Sequence, residues 1–504
     1  MSAEGRAIVI GAGPNGLVAA IRLAEAGRPV TVLEAADQPG GAVRTEHLTL
    51  PGFRHDTFSS VYPAAAASPV FAGMPLERHG LHWIHPEACY AHPLPGGRAV
   101  ALYRSLDRTA DSLDAAQRGD GARWRGFIEP LIGGFEAIRS TILAEFPPLV
   151  GAARLLTGLG PIGAARFGLL VPGSAKALGT RLFGGAGSRA WLYGSAGNGD
   201  VPPTDAGSAI PVTYLNLMGH AVGWPSPEGG AQRLTDALVG YLRERGGEIR
   251  TATPVERIEA SGGRVTAVRT ARGERLAASV VIADVMPHAL LALAGDALPG
   301  SYAALLRRYR YGPATVKVDW ALDGPIPWEA TEVRRAGTVH VSGDEAELLE
   351  TIAETQDRLP KRPFLLLGQQ SVADPSRAPQ GKHTAWAYTH GPQTAIDWPR
   401  ELERHVERIE AQVERFAPGF RDRILARHVI DPDEFERRNR NLVRGDVGGG
   451  SYCLRQVIFR PAPGLSPYRT PLAGLYLGSA ATFPGGAVHG VPGNAAARAA
   501  LKHS

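Results

Sequence analysis

The sequence of 504 residues lacks the features that mark a secreted, membrane-spanning or metal-binding protein. Its two cysteines, Cys89 and Cys453, are too few for a disulfide framework or a four-cysteine metal site, and they form no Cys-x-x-C pair. The N-terminus has no basic segment followed by a long apolar core, so we expect no secretory signal. The charge-free stretches 206–227 and 470–497 contain several prolines and glycines and do not predict a spanning helix. We therefore expect a cytoplasmic protein, with no metal site and with peripheral contact as its only route to a membrane.

Lysine and net charge are also scarce. The chain has 54 basic and 49 acidic residues, and only five of the basic residues are lysine. The two signs are interspersed, which excludes the basic stripe of a nucleic-acid-binding protein. The segment 146–199 differs, because it contains five basic residues and no Asp or Glu. Three interpretations stay open: a solvated basic face of ordinary helices, a lid over an apolar tunnel, or a patch that contacts anionic lipid.

The composition is otherwise that of a globular protein, with 44% apolar and 20% charged residues. This excludes a disordered or fibrous chain, and the length predicts two domains. The N-terminal residues predict a strand at 7–10, a glycine-rich turn, a helix with apolar residues at helical spacing, and a second strand at 30–33. This order is the βαβ unit of a parallel α/β sheet.

The glycine-rich turn carries the strongest chemical signal in the sequence. Gly11 allows the tight turn, Gly13 lets the backbone approach a pyrophosphate, and Gly16 lets the helix pack closely on the strand. Pro14 and Asn15 complete the turn at the start of the helix, where free N–H groups favour phosphate. We predict a dinucleotide site here.

An acidic residue and a second glycine pair follow the second strand. Glu34, followed by Ala35, lies 18 residues after Gly16, where a carboxylate accepts hydrogen bonds from the ribose hydroxyls of an adenosine. A further turn then provides a close backbone approach and a positive charge for the pyrophosphate, although a surface turn with a solvated arginine is the alternative. Its residues are Gly40, Gly41, Ala42 and Arg44.

A second match to the glycine pattern, at 158–163, lacks this context. No clear strand precedes it and no acidic residue follows before Asp200. We predict a loop there and no second nucleotide site.

The middle of the chain predicts two further groups of strands. A helix ending at Gly246 and Gly247 is followed by a strand at 248–251 and a meander of strands at 255–258, 264–270 and 276–282. Strands at 314–322, 338–341 and 384–390 predict a mostly antiparallel second sheet. Alternation of Val316, Val318 and Trp320 with polar residues predicts one buried face.

Several motifs together resemble one protein family. The glycine turn with Glu34 and the pair at 40–41 is typical of FAD-binding proteins, and the C-terminal runs 475–479 and 483–496 are more specific. The segments 224–230, 282–284 and 318–322 agree. The chain resembles the phytoene-desaturase-like flavoproteins, which include carotenoid desaturases and isomerases, retinol saturases and pyridine nucleotide-disulphide oxidoreductase domain 2-like proteins. The resemblance is weakest in 146–199, and Phe483 and Ala487 replace a His and a Gly that are frequent in the family.

The resemblance implies a fold and a cofactor. The fold would be α/β, with a GR2-type, Rossmann-like FAD-binding domain formed by 1–105, 220–300 and 430–504. An inserted α+β substrate domain, formed by 106–219 and 301–429, would contain the mostly antiparallel sheet. Beyond the N-terminal motif, the resemblance implies that FAD contacts Val255, Gly478, Ser479, Gly490, Val491, Pro492 and Asn494, and that Asn494 begins a helix aimed at the flavin.

The activity implied is FAD-dependent oxidoreduction of an apolar small molecule, most simply carbon–carbon desaturation by hydride transfer to flavin N5. A flavin-dependent isomerase or saturase, an amine oxidase and a non-catalytic FAD-bound interaction protein are the alternatives. Because no second nucleotide motif is present, we expect a diffusible electron acceptor, oxygen or a quinone. His489 is the first candidate for a proton acceptor, although it can instead hold its own loop together. Trp386, Tyr388 and His390 share one strand face and are candidates for the substrate pocket, or else for core.

Overall fold

A computed structural model of the protein describes residues 6–198, 200–394 and 396–503. The strands are β1 (Ala7–Ile10), β2 (Val30–Leu33), β3 (Thr45–Glu46), β4 (His55–Asp56), β5 (Trp83–Ile84), β6 (Ala88–Leu94), β7 (Arg98–Leu102), β8 (Ser226–Pro227), β9 (Glu248–Arg250), β10 (Val255–Ser261), β11 (Arg264–Thr270), β12 (Arg275–Ala277), β13 (Val280–Ala283), β14 (Ala314–Leu322), β15 (Ala336–Val341), β16 (Leu365–Gly368), β17 (His383–Gly391), β18 (Ile424–Ile430) and β19 (Leu475–Leu477). The α-helices are α1 (Pro14–Glu25), α2 (Pro63–Ala66), α3 (Leu106–Ala116), α4 (Asp120–Gly133), α5 (Phe135–Ile142), α6 (Leu149–Gly168), α7 (Ala175–Leu182), α8 (Ala186–Gly197), α9 (Ala209–Ala221), α10 (Gln232–Glu244), α11 (Pro287–Ala294), α12 (Gly300–Arg307), α13 (Glu345–Glu354), α14 (Trp398–Glu414), α15 (Pro432–Arg438), α16 (Leu454–Ile458) and α17 (Val491–His503).

The first sheet is parallel and has the strand order β19-β13-β1-β2-β9. Four of its strands, β1, β2, β13 and β19, are short and mainly apolar, and β1, β2 and β13 are buried along their whole length, as expected for a parallel sheet covered on both faces. Helices α1, α10 and α17 contribute to the same apolar core as β1 and β2. The predicted βαβ unit is confirmed, and strands from the middle and the C-terminal end of the chain join it in one sheet.

A small antiparallel sheet, β10-β11-β12, is formed by the residues between β9 and β13 of the first sheet. The predicted meander is therefore present, but its third strand is shorter than expected. The run 276–282 divides into β12, which completes the meander, and β13, which pairs with β1 in the parallel sheet. The apolar residues on either side of Ser279 belong to two different sheets, which a continuous run in the sequence does not reveal.

The second large sheet has the order β18-β14-β17-β16-β15-β6-β7. All its neighbouring strands are antiparallel except β15 and β6. β6 and β7 belong to this sheet, although they lie within the predicted first segment 1–105 of the FAD-binding domain. The domain boundaries stay predictions.

Strand β14 is buried on both faces, so the expectation of a single buried face was wrong. Val316, Val318 and Trp320 share a core with the apolar stripe of α14, which includes Val406 and Ile409. The opposite face carries Thr315 and Lys317 and lines a large cavity. Polar residues on this strand therefore face the cavity instead of bulk solvent.

The segment 158–163 lies within α6 and forms no loop between elements, so that prediction was wrong. The helix is nevertheless interrupted at Gly160, whose φ of 67° is in the left-handed region, and Pro161 follows. Among the described residues, no helix combines the length and the apolar character needed to cross a membrane.

Candidate functional site

The glycine turn connects β1 to α1 with the geometry that its sequence predicts. Gly11 has a φ of 98°, and its N–H donates to the carbonyl of Leu33 at 2.8 Å, which ties the turn to β2. A Cβ on Gly16 would lie 2.0 Å from the carbonyl oxygen of Gly11, so only glycine allows α1 to begin this close to β1. The start of α1 therefore faces the space beyond the carboxyl ends of the strands.

Glu34 follows β2 and holds the turn from the other side. One carboxylate oxygen accepts from the N–H of Ala12 at 2.7 Å, and the other accepts from the N–H of Ala36 at 2.9 Å. The side chain also lines the cavity. Each oxygen keeps a further lone pair for a ligand hydroxyl.

Two close backbone approaches and two buried polar atoms test whether a dinucleotide fits. A Cβ on Gly41 would lie 3.0 Å from Cα of Gly13, and Gly41 has a φ of 55°. Within the described part of the chain, Oδ1 of Asn15 and Nε of Arg44 are buried without a hydrogen-bond partner. Both side chains line the cavity. A phosphate-bearing ligand would satisfy Arg44, and the glycines leave the room that a pyrophosphate needs.

Asp284, directly after β13, is a site residue to which the sequence analysis assigned no role. Its Oδ2 accepts from the N–H of Gly16 at 2.9 Å, and a Cβ on Gly13 would lie 2.9 Å from the same oxygen. Burial raises the pKa of this carboxyl to about 7, and the charge of Glu34 adds to the shift. The sequence signal that could have identified Asp284 is its position directly after the apolar strand β13, which pairs with β1.

The C-terminal end of the chain meets the glycine turn. A Cβ on Gly493 would lie 1.9 Å from the carbonyl oxygen of Asn15, so α17 packs directly on the first turn of α1. Helix α17 begins at Val491, and Asn494 does not open it. The Asn494 side chain accepts from Arg22 and donates to Glu145, and its contact with the flavin stays a prediction.

His489 has both ring nitrogens engaged by its own loop. The N–H of Val491 donates to Nδ1 at 3.2 Å, so Nε2 carries the proton and donates to the carbonyl of Gly486 at 3.1 Å. Burial lowers the pKa of His489 to about 4. The ring is therefore neutral and has no free lone pair, an arrangement that favours the loop-stabilising alternative.

One cavity of about 1180 Å³ joins these elements. Of the eighteen predicted cofactor-binding residues, eleven line it: Gly11, Gly13, Pro14, Asn15, Glu34, Ala35, Gly41, Ala42, Arg44, Val255 and Ser479. The other seven are not on its wall: Gly16, Gly40, Gly478, Gly490, Val491, Pro492 and Asn494. Two of these seven form backbone hydrogen bonds in the layer behind the residues of the wall. Gly40 donates to the carbonyl of Ala12, and Gly478 donates to the carbonyl of Ala283.

The far wall of the cavity is formed by the second sheet. Trp386 and Tyr388 line it with nearly parallel rings, 5.9 Å apart at an interplanar angle of 6°. His390, the third predicted pocket residue, is not on the wall. Its Nε2 lies 2.8 Å from Oδ1 of Asp200 and its Nδ1 lies 3.3 Å from the hydroxyl of Thr315, and both of these partners face the cavity.

Lys317 is the basic group of this wall that sequence reasoning missed. It is buried, and its Nζ contacts both carboxylate oxygens of Asp319 at 2.5 Å and the carbonyl of Asp56 at 3.1 Å. Burial lowers the pKa of Lys317 and raises that of Asp319 to about 6, while the pair's mutual attraction opposes both shifts. The alternation in β14 gave the signal, because it puts Lys317 on the face opposite Trp320.

Comparison with known proteins gives the family. The model of the family described as "Flavin containing amine oxidoreductase" matches residues 15–500. This chain belongs to that flavoprotein family. A mouse relative, "Pyridine nucleotide-disulfide oxidoreductase domain-containing protein 2", is 28% identical, with 98% of this chain and 93% of the relative covered. A "Phytoene desaturase (neurosporene-forming)" of Rhodobacter capsulatus is 27% identical, with coverages of 97% and 92%.

The solved structures agree on the fold of this flavoprotein. An oxidoreductase from Methanosarcina mazei superimposes with a TM-score of 0.64 at 17% identity, covering 99% of this chain and 100% of the other. The resemblance to phytoene-desaturase-like flavoproteins and the α/β FAD-binding fold are therefore confirmed. The chain is an FAD-dependent oxidoreductase.

Proposed function

We propose that this flavoprotein desaturates a carbon–carbon bond of an apolar small molecule. The observation that supports this most is the continuity of the cavity from Gly13 and Glu34 to walls built largely from apolar side chains. Its volume of about 1180 Å³ exceeds the roughly 300–1,000 Å³ of a pocket for one small ligand, which leaves room for a second molecule beside a dinucleotide. The apolar wall residues include Leu155, Phe167, Ile210, Leu215, Met218 and Leu366.

The lysine on the substrate side of the cavity is paired within the protein. Lys317 is held by both carboxylate oxygens of Asp319. A carboxylate entering this region would have to compete with that contact and lose its hydration. The pairing therefore favours a neutral substrate over an anionic one.

The chemistry of desaturation asks little of the side chains. A hydride leaves one carbon, a proton leaves its neighbour, and a double bond forms between them. FAD, when bound, would supply the two-electron acceptor for the hydride. The flat wall of Trp386 and Tyr388 would hold an apolar chain in place, and the proton would pass to water. We assign no side chain as the base, since His489 has no free lone pair.

The glycine motifs bear on which electron acceptor reoxidises the flavin. The second glycine match lies within α6, so no second nucleotide site is assigned to it. We therefore propose a diffusible acceptor, oxygen or a quinone. Rapid anaerobic bleaching of the bound flavin by NADPH would contradict this.

An anaerobic titration tests the proposed reaction. The holoenzyme is titrated with an isoprenoid hydrocarbon, a fatty acyl ester and a primary amine while the visible flavin absorbance is followed. We expect bleaching by the isoprenoid or the acyl ester. Bleaching by the amine alone would indicate an amine oxidase, and bleaching by none of the three would favour the non-catalytic alternative.

A pair of variants connects the titration to the cavity. Ile210→Asp places a charge on the apolar wall, whereas Leu425→Asp places the same charge on an exposed position of β18. We expect the first to weaken bleaching by the apolar substrate without loss of flavin, and the second to behave as the wild type. Equal behaviour of both variants would contradict the assignment of this wall to substrate.

A further inference from the structure

One arginine is buried behind the cavity wall with two of its three guanidinium nitrogens unpartnered. Arg460 has no exposed surface, and it forms no ion pair with an acidic residue in the described part of the chain. Its Nη2 donates to the hydroxyl of Tyr309 at 2.7 Å and to the carbonyl of Gly449. Its Nε and Nη1 have no hydrogen-bond partner among the same residues. Since arginine keeps its proton in proteins, Arg460 is a buried and incompletely satisfied cation.

The surroundings of Arg460 compensate its charge only in part. The ring centres of Tyr452 and Tyr309 lie 5.4 Å and 6.0 Å from its guanidinium carbon, so two aromatic faces offset some of the cost of desolvation. Asp446 attracts the guanidinium without forming an ion pair, but its two carboxylate oxygens already accept from backbone N–H groups of the loop that follows it. The remaining N–H groups of Arg460 therefore lack an anion within the described chain.

A single layer of backbone separates Arg460 from the cavity. A Cβ on Gly485 would lie 2.5 Å from Nη1 of Arg460, so the guanidinium rests directly on the loop that contains this glycine. Pro484 and Gly486, on either side of Gly485, both line the cavity. A Cβ on Gly486 would lie 2.9 Å from the hydroxyl of Tyr452, so no larger side chain fits between the loop and the layer behind it. The positive potential of Arg460 therefore reaches the cavity through one peptide layer.

The strand order of the first sheet indicates which half of FAD would lie against this layer. Glu34, after β2, suits the adenosine ribose, and the glycine turn after β1 suits the pyrophosphate. In the order β19-β13-β1-β2-β9, the other half of the dinucleotide would continue away from β2, past β13 toward β19. The loop 479–489 follows β19, contributes to the cavity wall and contains Gly485. The flavin half of FAD would therefore lie on the side of the cavity that Arg460 backs.

We propose that Arg460 is the counter-charge for the reduced flavin ring and raises its reduction potential. A hydride adds two electrons and one proton to the neutral oxidised ring, which leaves one negative charge on the reduced ring. A cation one peptide layer away stabilises the reduced form and leaves the oxidised form almost unchanged. At a separation of roughly 7–10 Å and an effective dielectric constant of about 20, a unit charge shifts this equilibrium by about tenfold or more. The inference concerns bound FAD and does not depend on which substrate is oxidised.

The reduction potential of the holoenzyme tests the proposal. It is measured by anaerobic reductive titration beside a reference dye, for the wild type and for Arg460→Gln, which keeps N–H donors but removes the charge. We expect the reduction equilibrium of the variant to be less favourable by about tenfold or more, which lowers the potential of this two-electron couple by at least about 30 mV. The visible flavin absorbance before titration reports whether the variant holds FAD. A wild-type potential in Arg460→Gln would overturn the proposal.

Three further variants separate the charge of Arg460 from its structural contacts. Arg460→Lys keeps the charge and should retain most of the wild-type potential. Tyr309→Phe removes a hydroxyl that accepts from Arg460 but removes no charge, so it should lower stability and leave the potential unchanged. Arg272→Gln removes an exposed charge elsewhere and should behave as the wild type. An equal fall of the potential in Tyr309→Phe would show that Arg460 acts only by holding the loop, and the proposal would be wrong.

The wild type alone gives a second measurement, which stands even if Arg460→Gln fails to fold. A cation beside the reduced ring favours its anionic form, so the bound reduced flavin should take up a proton only at a lower pH than free reduced FAD. A pH titration of the reduced holoenzyme, followed by absorbance, distinguishes the two forms. Protonation at the same pH as free reduced FAD would overturn the proposal, whatever substrate the enzyme oxidises.

Discussion

Gly16→Ala tests whether the glycine turn holds the cofactor. In the native backbone the new Cβ would lie 2.0 Å from the carbonyl oxygen of Gly11 and 3.2 Å from Oδ2 of Asp284. Because non-bonded carbon and oxygen atoms need more than about 3 Å, α1 has to move away from β1 by about 1 Å. Overpacking of this kind costs about 1–3 kcal/mol. The movement also widens the turn at Gly13, where a pyrophosphate would approach.

The expected result is weaker FAD binding together with lower stability. A loss of about 1.4–3 kcal/mol corresponds to roughly ten- to hundredfold in the FAD dissociation constant, measured by flavin fluorescence during titration of the apoprotein. Gly126→Ala, on an exposed face of α4 with nothing within 4 Å of its Cβ, is the control. It should bind FAD normally and gain about 0.5–1 kcal/mol. Wild-type FAD affinity in Gly16→Ala would refute the reasoning.

Three further predictions concern buried titratable groups. Because burial raises the Asp284 pKa to about 7 from an unfolded value near 3.9, the folded FAD-free protein binds this proton more tightly. The free energy of unfolding should therefore fall as pH rises from about 4 to about 7, by up to about 1.4 kcal/mol per pH unit. Urea unfolding at several pH values should show this slope. The Asp284→Asn variant should lack it. Lys317→Met leaves Asp319 buried and unpaired and should cost about 3–5 kcal/mol, whereas adding Asp319→Leu should restore most of the loss; a double variant no more stable than the single one in thermal unfolding would contradict the pairing. His489→Ala should lower thermal stability by about 1–3 kcal/mol through lost loop hydrogen bonds, yet leave the pH profile of flavin reduction unchanged; a missing limb in that profile would return His489 to catalysis.

The N-terminal half of the site was predictable because its determinants are local. Gly11, Gly13, Gly16 and Glu34 all lie within or directly beside a single βαβ unit, and Gly11, Gly16 and Glu34 each make a contact to a neighbour in that unit. The parallel strands could also be predicted from the sequence, because a short strand that is buried on both faces has to be apolar throughout.

The rest of the site depends on contacts between distant segments. Asp284 meets Gly16 only because β13 pairs with β1, and Lys317 faces the cavity only because α14 covers the opposite face of β14. The partners of His489 could not be inferred from its position in a glycine-rich loop, because a histidine that stabilises a loop and one that accepts a proton look the same in a sequence. The pairing of β6 with β15 joins residues more than 240 positions apart in the chain, and no local pattern encodes it.

The mass of the product tests the central claim most directly. The holoenzyme that is bleached by an apolar substrate under anaerobic conditions is quenched, and the extracted product is analysed by mass spectrometry. Desaturation predicts a product lighter than the substrate by two hydrogen atoms, in an amount equal to the flavin reduced. A product of unchanged mass, a product heavier by two hydrogen atoms, or a carbonyl compound formed with release of ammonia would contradict it.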